Sequence, residues 1–285
     1  MFIGTKELTH IYMPGTPFAA EALKSVSFSL ERGDFAVLIG PSGSGKSTLI
    51  QHLNGLLSPT QGKVFFNNRD IGANKKELLF LRRKIGLVFQ MPEEQFFSET
   101  VFDEVAFAPR NLGLSVEEIA ARVNGALAQV GLDPEAFKAR HPFRLSSGQK
   151  RLVAIAAVLS LHPEVLVLDE PTAGLDISAR GHLFALLQKL NSEEGLTVLV
   201  STHHLDEAAA LSNRAVVLNR GRLVMCGPAG EVFQNRVKLK EIGLALPPVT
   251  GIMDALCEKG MPVKTDIFDL HSARQEILRL KGRQS

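Results

Sequence analysis

The fold is decided by one Gly-rich stretch, Gly40-Pro41-Ser42-Gly43-Ser44-Gly45-Lys46-Ser47, which continues into Thr48. It matches the phosphate-loop pattern G-x-x-x-x-G-K-S. Its glycines let successive backbone N–H groups wrap a phosphate, and the helix that begins near Gly45 directs its positive end at the same anion. We expect Lys46 to reach the β- and γ-phosphates of a nucleotide, and the Ser47 hydroxyl to be a ligand of Mg²⁺. A chance match in this length is on the order of one in a hundred, since glycine makes up ~7% of average sequence. Residues 40–48 are therefore predicted to bind a nucleotide.

Short strands and helices alternate on both sides of this loop. Apolar or alternating segments predict strands, and apolar residues at three- and four-residue spacing predict helices. Strands are predicted at residues 2–8, 23–30, 35–39, 63–66, 85–89, 165–168, 197–200, 215–218 and 223–226. Helices are predicted at residues 46–56, within 101–128, and at 146–161, 177–190 and 205–211. This alternation favours an α/β fold with a parallel sheet and helices on its faces.

The character of the chain changes after residue 235. Pro247-Pro248 and Gly260-Met261-Pro262 bound a short segment with helical spacing at residues 249–259, and an amphipathic stretch follows at 273–280. Proline and glycine pairs of this kind mark turns between elements. We therefore predict two units, residues 1–235 and a small helical unit at 236–285.

Composition and charge exclude several classes of protein. The chain has 285 residues, of which 45% are hydrophobic and 22% charged, with a formal net charge of +2. That composition supports a packed core, and the near-neutral charge argues against a nucleic-acid protein with a broad basic face. The longest apolar run, residues 152–161, is about half of the ~20 residues that cross a bilayer. Residues 1–4 lack the basic start of a signal peptide, and two cysteines, Cys226 and Cys257, make neither a disulfide framework nor a metal motif. We expect a globular protein of a reducing compartment.

Two carboxylates follow the apolar segment at residues 165–168. Taken alone, Asp169 and Glu170 are consistent with a buried strand that runs into an acidic loop. Downstream of a phosphate loop they have a more specific interpretation. We expect Asp169 to face the Mg²⁺ held by Ser47, and Glu170 to polarise the water that attacks the γ-phosphate.

A Ser/Gly cluster, Leu145-Ser146-Ser147-Gly148-Gln149, precedes the apolar helix predicted at 146–161. In isolation it is an ordinary helix start, with Ser146 or Ser147 as the capping residue. Its position shortly before Asp169 and Glu170 favours a functional role.

Six motifs then occur in the order of an ABC-transporter ATPase, which residues 2–235 resemble. They are the phosphate loop, Gln90 after the strand at 85–89, Leu145-Ser146-Ser147-Gly148-Gln149, Leu168-Asp169-Glu170-Pro171-Thr172, Ala173-Gly174-Leu175-Asp176 and Thr202-His203. The resemblance implies a RecA-like parallel core, an antiparallel β subdomain and a helical subdomain that carries the signature motif at 145–149.

The resemblance also implies a division of roles at ATP. Two chains are expected to sandwich two ATP molecules, with Ser146, Gly148 and Gln149 acting on the nucleotide held by the other chain. Asp176 is then a dimer-interface residue and Gln90 a sensor of Mg²⁺ and water. The γ-phosphate clamp is assigned to His203, because His204 stands where such proteins often carry Asp. A purely structural role for His203 is the alternative.

The lone tyrosine is a candidate adenine platform. Tyr12 lies before the phosphate loop, where the family places an aromatic ring that stacks on adenine. Such stacking contributes ~1–3 kcal/mol by analogy with base–aromatic contacts. A surface tyrosine at a strand end is the alternative, and Phe18 is a second candidate because residues 14–17 make the register of this loop ambiguous.

Several stretches are similar to the ATPases of energy-coupling-factor transporters. They are Pro14-Gly15-Thr16-Pro17-Phe18, Gln51-His52-Leu53-Asn54-Gly55-Leu56, Val88-Phe89-Gln90-Met91-Pro92-Glu93-Glu94-Gln95, and the tail. This similarity implies a peripheral subunit on the cytoplasmic face of the membrane that powers import of a vitamin or a transition-metal ion. Its partners would be a second ATPase subunit, identical or paralogous, a transmembrane T subunit and a substrate-binding membrane protein. The alternatives are the ATPase of a conventional ABC importer or exporter and a soluble ABC-type interaction factor. The tail is expected to make dimer contacts or to act only as a stabilising cap.

Two further features stay open in the sequence. Ser147 stands where the signature motif usually has Gly, which predicts a modest impairment of hydrolysis at most. Glu93, Glu94, Asp103 and Glu104 lie near the Gln90 loop, where the family receives Arg-bearing helices of the T subunit. These carboxylates are either complementary charges for such helices or simply solvated.

Overall fold

Two β-sheets and the helices packed on them make up the described part of the chain. The computed structural model describes residues 1–71, 75–202, 212–244, 248–265 and 270–281, together with residues 205, 209, 267 and 268. The strands within it are β1 (Ile3–Tyr12), β2 (Ala20–Leu30), β3 (Phe35–Ile39), β4 (Gln61–Phe66), β5 (Arg69–Asp70), β6 (Ile85–Val88), β7 (Val165–Asp169), β8 (Thr197–Ser201), β9 (Arg214–Asn219) and β10 (Arg222–Pro228).

The helices fall between these strands and in the tail. In chain order they are α1 (Lys46–Leu53), α2 (Lys75–Lys84), α3 (Val101–Asn111), α4 (Val116–Gln129), α5 (Pro134–Phe137), α6 (Ser147–Leu159), α7 (Ile177–Glu194), α8 (Ala229–Gln234), α9 (Arg236–Glu241), α10 (Pro248–Glu258) and α11 (Leu270–Lys281). Short 3₁₀ turns lie at Pro92–Gln95 and Pro142–Arg144.

The larger sheet has the strand order β10-β9-β3-β8-β7-β6. Its strands from β9 to β6 pair in parallel, and β10 joins β9 antiparallel. Strands β3, β7 and β8 are buried at every position, which explains their continuous apolar sequences. Their carboxyl ends meet at one edge, where Asp169 pairs in register with Ser201. The predicted α/β class with a parallel sheet is confirmed.

The smaller sheet is antiparallel and has the order β2-β1-β4-β5. Leu8, Leu23 and Val26 on its inner face pack with Leu49 and Leu53 of α1, in one cluster that continues into the larger sheet. The helix after the phosphate loop is therefore held between the two sheets. This packing sets the position of residues 40–48 against β1 and β2.

A helical layer covers the other face of the larger sheet. Apolar residues of α3, α4 and α6, including Val105, Val123 and Ile155, share a cluster with Leu166 and Leu168 of β7. Thr100 caps α3, and Ser115 caps α4 in a reciprocal capping box with Glu118. These caps satisfy N–H groups that would otherwise be unpaired at each helix start. The layer carries the signature helix α6.

The tail has two packing environments. Leu239 and Leu244 lie in a cluster with Phe233 and with Ile39 of β3. A separate cluster contains Val249, Met253, Val263, Ile267 and Ala273, together with partly buried residues of α10 and α11. The division of the chain at residue 235 stays a prediction. Among the described residues, every helix is too short or too polar to cross a membrane.

Candidate active site

The phosphate loop joins the end of β3 to the start of α1. Gly45, the residue before α1, adopts φ 102°, a region that only glycine enters freely. A Cβ there would lie 2.7 Å from the Ala22 carbonyl oxygen, and a Cβ on Gly40 would lie 2.2 Å from the Leu218 carbonyl oxygen. Glycine at these two positions is thus required by close backbone approach. The helix start carries no capping side chain at Gly45, so its N–H groups are available to an anion.

Lys46 lies folded over this loop. Its Nζ donates to the carbonyl oxygens of Gly40, at 2.8 Å, and Pro41, at 3.1 Å. Burial lowers the pKa of the Lys46 ammonium, and the carboxylates of Glu170 and Asp169 oppose that shift. The ammonium therefore sits in the field of both carboxylates. A bound phosphate would offer it stronger, charged acceptors than the two carbonyls it uses here.

Asp169 and Glu170 are held at the carboxyl end of β7 by Ser201 of β8. The Ser201 hydroxyl donates to Asp169 Oδ1 at 2.5 Å, and Glu170 N–H lies 2.9 Å from Ser201 Oγ and 3.1 Å from Ser201 O. Asp169 is buried, while Glu170 is half-buried with φ 44°. A non-glycine residue with positive φ is uncommon and is retained where surrounding bonds hold it. Ser201 thus orients the Asp169 carboxylate and fixes the Glu170 backbone, and no sequence motif singled it out.

Tyr12 lies beside the phosphate-loop helix. Its hydroxyl is 3.1 Å from Thr48 Oγ1, and its ring makes a T-shaped contact with His10 at 4.5 Å between centroids. His10 in turn meets the buried His52, with 3.1 Å between His10 Nδ1 and His52 Nε2. Tyr12 is 39% exposed, whereas Phe18 is 79% exposed. The structure thus brings Tyr12, and not Phe18, into contact with the residues after Lys46.

The two imidazoles have determined roles in this network. His52 Nδ1 lies 2.7 Å from the Thr48 carbonyl oxygen, which can only accept, so Nδ1 of His52 carries the proton. His52 Nε2 is then an acceptor, and His10 Nδ1 donates to it. Burial lowers the pKa of His52 and keeps this ring neutral. Neither histidine has a role predicted from the sequence, because a single histidine in a strand or a helix does not by itself indicate a particular chemistry.

Ser146 and Gln149 close the start of α6. The Ser146 hydroxyl accepts the Gln149 N–H at 3.3 Å, and Gln149 Oε1 accepts the Ser146 N–H at 3.2 Å. Gly148 lies near α7, with room for a Cβ at 3.8 Å from Ala179. Asp176 caps α7 by accepting the Ala179 N–H at 2.8 Å. Both motifs therefore form capped helix starts, with Ser146 and Ser147 exposed.

Of the remaining predicted site residues, the structure describes Gln90 and Ser47 but not His203. Gln90 is exposed directly after β6, and Ser47 is exposed in the first turn of α1. His203 lies outside the described residues, and its assignment as the γ-phosphate clamp stays a prediction.

Most of the acidic residues near Gln90 form ion pairs or hydrogen bonds within the chain. Glu93 pairs with the buried Arg151 at 3.2 Å. Asp103 pairs with Arg110 at 2.7 Å, and bonds from Thr100 and Arg110 lower its pKa. Glu104 is buried and accepts the N–H groups of Phe97 and Ser98. Free solvation does not describe Glu93 and Glu104, which have internal partners, whereas Asp103 stays 40% exposed beside Arg110. The role of these carboxylates as complementary charge for the T subunit stays a prediction.

Comparisons with known proteins decide the family. A profile of the ABC transporter family matches residues 23–173, more than half of the chain. The Energy-coupling factor transporter ATP-binding protein EcfA2 of Clostridioides difficile is 48% identical over an alignment of 285 positions, which covers 99% of this chain and 99% of its own. The chain belongs to the energy-coupling-factor ATP-binding proteins of the ABC transporter family. The predicted family, its energy-coupling-factor branch and the ABC-type ATPase fold are confirmed.

Solved structures of ABC proteins share this fold. The cbiO1 protein of Clostridium perfringens, described as part of the ABC transporter complex cbiONQ, matches with a TM-score of 0.76 and 37% identity over 89% of this chain and 98% of its own. A dimeric ATP-binding cassette in a post-hydrolysis state with ADP and Pi matches with a TM-score of 0.71 and 33% identity, over 80% of this chain and 99% of its own. This energy-coupling-factor protein is thus an ATP-binding, ATP-hydrolysing subunit of a membrane-associated transporter.

Proposed function

We propose that the chain is the peripheral ATPase subunit, on the cytoplasmic face of the membrane, of a transporter that imports a vitamin or a transition-metal ion. The observation that carries the proposal is the phosphate loop with the buried Lys46 at its helix start, in the electrostatic field of Asp169 and Glu170 at the carboxyl end of β7 in the parallel sheet. A cation on a phosphate loop that faces two carboxylates is the arrangement needed to bind a nucleoside triphosphate and activate water beside it. The names of the full-length relatives support the transport role.

Binding uses the loop and the helix behind it. Residues 40–48 surround the phosphates with N–H groups, and Lys46 exchanges the Gly40 and Pro41 carbonyls for phosphate oxygens. Tyr12 stacks on the adenine, held by Thr48 and His10. Ser47, Asp169 and Gln90 would hold Mg²⁺, directly or through water, since their hydroxyl, carboxylate and amide oxygens are the donors that this hard cation prefers. When bound, Mg²⁺ neutralises charge on the β- and γ-phosphates.

Hydrolysis uses Glu170 as the base. Its carboxylate accepts a proton from the attacking water, while Ser201 holds its backbone in place. Ser146, Gly148 and Gln149 act on the nucleotide of a second subunit, identical or paralogous, and Asp176 lies at that dimer interface. The dimeric cassette among the structural matches supports this pairing. His203 stays our candidate for the γ-phosphate clamp.

Glu170→Gln tests this assignment. We expect ATP binding to remain and turnover to fall by about 10²–10⁴, the range for loss of a general base. ATP should then hold the variant as a dimer, measured by light scattering with and without ATP. Lys46→Ala is the control, since it should lose ATP binding as well. Unchanged turnover of Glu170→Gln would refute the role of this carboxylate.

The docking face for the transmembrane T subunit is an aromatic pair beside the Gln90 loop. Phe97 and Phe107 are 64% and 47% exposed, and their rings stack edge to face at 4.8 Å. Glu104 holds the backbone of Phe97, so the pair is presented on a fixed loop. Exposed aromatic residues of this kind are typical anchors of protein interfaces.

Phe97→Ala with Phe107→Ala should reduce co-purification with the membrane subunits and leave ATP binding unchanged. Phe80→Ala is the matched control, because Phe80 is 53% exposed on α2, a different element. Equal loss in both variants would mean that exposed aromatic surface in general, and not this pair, supports assembly. Pull-down from solubilised membranes also identifies the partner ATPase and the substrate-binding membrane protein.

A further inference from the structure

Arg151 is the largest fully buried side chain among the described residues. It lies on α6, just after the signature motif, and is 1% exposed. Its Nη1 donates to the Pro171 carbonyl oxygen at 2.9 Å, and its Nη2 donates to the Ala173 carbonyl oxygen at 3.2 Å. Removing a guanidinium from water is costly, and burial lowers its pKa accordingly. An apolar side chain could fill this space at lower cost, so the charge calls for another explanation.

Arg151 and its partners lie in three segments of the ATPase site. Pro171 and Ala173 lie in the loop that begins with Glu170 and ends at Asp176. Glu93, whose Oε1 accepts from Arg151 Nη2 at 3.2 Å, lies in the 3₁₀ turn that begins two residues after Gln90. Arg151 itself is fixed on the signature helix. One planar, rigid group therefore joins the signature helix, the loop with the proposed base and the turn after Gln90.

The ion pair of Arg151 and Glu93 makes only one of the two hydrogen bonds that its two groups could form with each other. In the described structure, Nε of Arg151 and Oε2 of Glu93 are both buried and without a hydrogen-bond partner. Arginine and carboxylate groups often pair through two parallel bonds, which would use these two atoms in addition to Nη2 and Oε1. Buried polar atoms without a partner raise the free energy of a conformation. A small shift of the turn relative to α6 that brings Nε and Oε2 together would therefore be favoured.

We propose that Arg151 and Glu93 form a two-position link that couples the Gln90 turn to the signature helix and to the Glu170 loop. In one position the pair makes the single bond seen here, and in the other it makes two. Movement of the Gln90 turn then changes where α6 and the Glu170 loop lie, without contact between Glu93 and ATP. Arg151 and Glu93 are positioning residues. This inference rests on the proposed roles of Gln90, Glu170 and the signature motif.

Glu93→Gln tests the second bond. Gln has the same shape and keeps one oxygen for Nη2, but its amide would place N–H groups against Arg151 Nε, so the second bond cannot form. We expect kcat of the full-length chain to fall by about tenfold, while KM for ATP stays within about twofold, as for loss of an interaction made only on the way to the transition state. Arg151→Lys keeps the charge but loses the planar group. It should likewise lower kcat while KM for ATP stays nearly unchanged. The double variant should be no worse than the more impaired single variant.

Asp103→Asn is the matched control. The pair of Asp103 and Arg110 is exposed on the neighbouring helix α3, and both of its residues lie outside the ATPase motifs, so both kinetic constants should stay unchanged. Thermal unfolding of each variant checks that it is folded. If Arg151→Lys does not fold, the kinetic constants of Glu93→Gln alone test the proposed link.

Three results would overturn the link. They are an unchanged kcat in folded Glu93→Gln, a rise in KM that accounts for the whole loss, and a loss of transport without loss of basal hydrolysis, which would make Glu93 a docking residue. The proposed function has a separate readout. If Glu170→Gln abolishes turnover and Glu93→Gln does not change it, only the link fails. If Glu170→Gln leaves turnover intact, the assignment of the site fails first.

Discussion

Replacement of Tyr12 by alanine measures the proposed adenine platform directly. Tyr12 is 39% exposed, its hydroxyl lies 3.1 Å from Thr48 Oγ1, and its ring contacts His10. The helix that begins at Lys46 and the platform are therefore linked by a side-chain contact. Tyr12→Ala removes the ring and this contact, and it leaves the phosphate loop itself unchanged.

The magnitude follows from the stacking of one base on one ring. Such stacking contributes about 1–3 kcal/mol, and we take the lower half, about 1–2 kcal/mol, because part of the Tyr12 ring is already covered by His10. With a tenfold change for each 1.4 kcal/mol, the Kd for ATP should rise about 5- to 30-fold. Tyr12→Phe keeps the ring and loses only the hydroxyl contact. It should cost no more than about 1 kcal/mol, or about fivefold in Kd.

Titration calorimetry with ATP and with inorganic tripolyphosphate, both with Mg²⁺, separates the base from the phosphates. Tyr12→Ala should weaken ATP binding and leave tripolyphosphate binding unchanged, since only ATP carries a base. Phe18→Ala is the control for the second candidate, because Phe18 is 79% exposed and should not affect either ligand.

Two results would refute this reasoning. Equal weakening of both ligands would mean that Tyr12 acts through the phosphate loop and not on the base. Loss of ATP affinity in Phe18→Ala, with none in Tyr12→Ala, would move the platform to Phe18. In the native chain the lone tyrosine, with no tryptophan present, offers a second readout, since its fluorescence should change when ATP binds.

Three further predictions concern stability and turnover. Gly45→Ala should destabilise the chain by about 2–4 kcal/mol in urea unfolding without nucleotide, because Gly45 has a positive φ and a Cβ there would overlap the backbone. Gly43→Ala is the control: with φ 73° and no atom within 4 Å of a Cβ, it should lower the free energy of unfolding by only about 1–2 kcal/mol. Equal losses in the two variants would contradict a contribution from the overlap. Burial lowers the pKa of His52, so its contribution to stability should be complete above the pKa of an unfolded histidine, about 6.5, and be lost as the pH falls below that value. The free energy of unfolding of His52→Gln should therefore fall less than that of the native chain between pH 7.5 and pH 5.5, which lie about one unit either side of that pKa. If the two proteins lost stability in parallel, His52 would not be the source of the pH dependence. Ser147 is exposed in the first turn of α6, so Ser147→Gly should change steady-state ATPase turnover by less than about tenfold, and a hundredfold rise would show that the hydroxymethyl group obstructs the site.

The elements that could be predicted are those with a strong local pattern. Strands β3, β7 and β8 are buried on both faces, so their sequences are continuous apolar runs that end at turn residues. Helix α2 was not predicted, because Leu81 is its one fully buried residue among those whose side chains are described, and no apolar stripe repeats along it. The two-residue strand β5 is too short to show an alternation.

The candidate site likewise has parts that the sequence predicts and parts that it does not. The phosphate loop, Asp169 with Glu170, and the signature motif are each contiguous in the chain, so their residue types and spacing could be interpreted without coordinates. Thr48 and Tyr12 were predicted to bind the nucleotide, but their mutual contact was not. No role could be predicted for Ser201, His10 or His52, since Ser201 meets Asp169 and His10 meets His52 only through contacts between residues distant in the chain.

The sequence by itself determined the family and the nucleotide, and it predicts the residues that bind this nucleotide, because phosphate binding is done by a short run of backbone and a few adjacent side chains. Only the tertiary structure decided how the carboxylates near Gln90 are used. Glu93 and Arg151 are 58 positions apart, and Glu104 of α3 is buried against the backbone of the loop that precedes this helix. Whether a charge is solvated, paired or presented to a partner depends on what packs around it. That is a property of the folded chain and not of the local sequence.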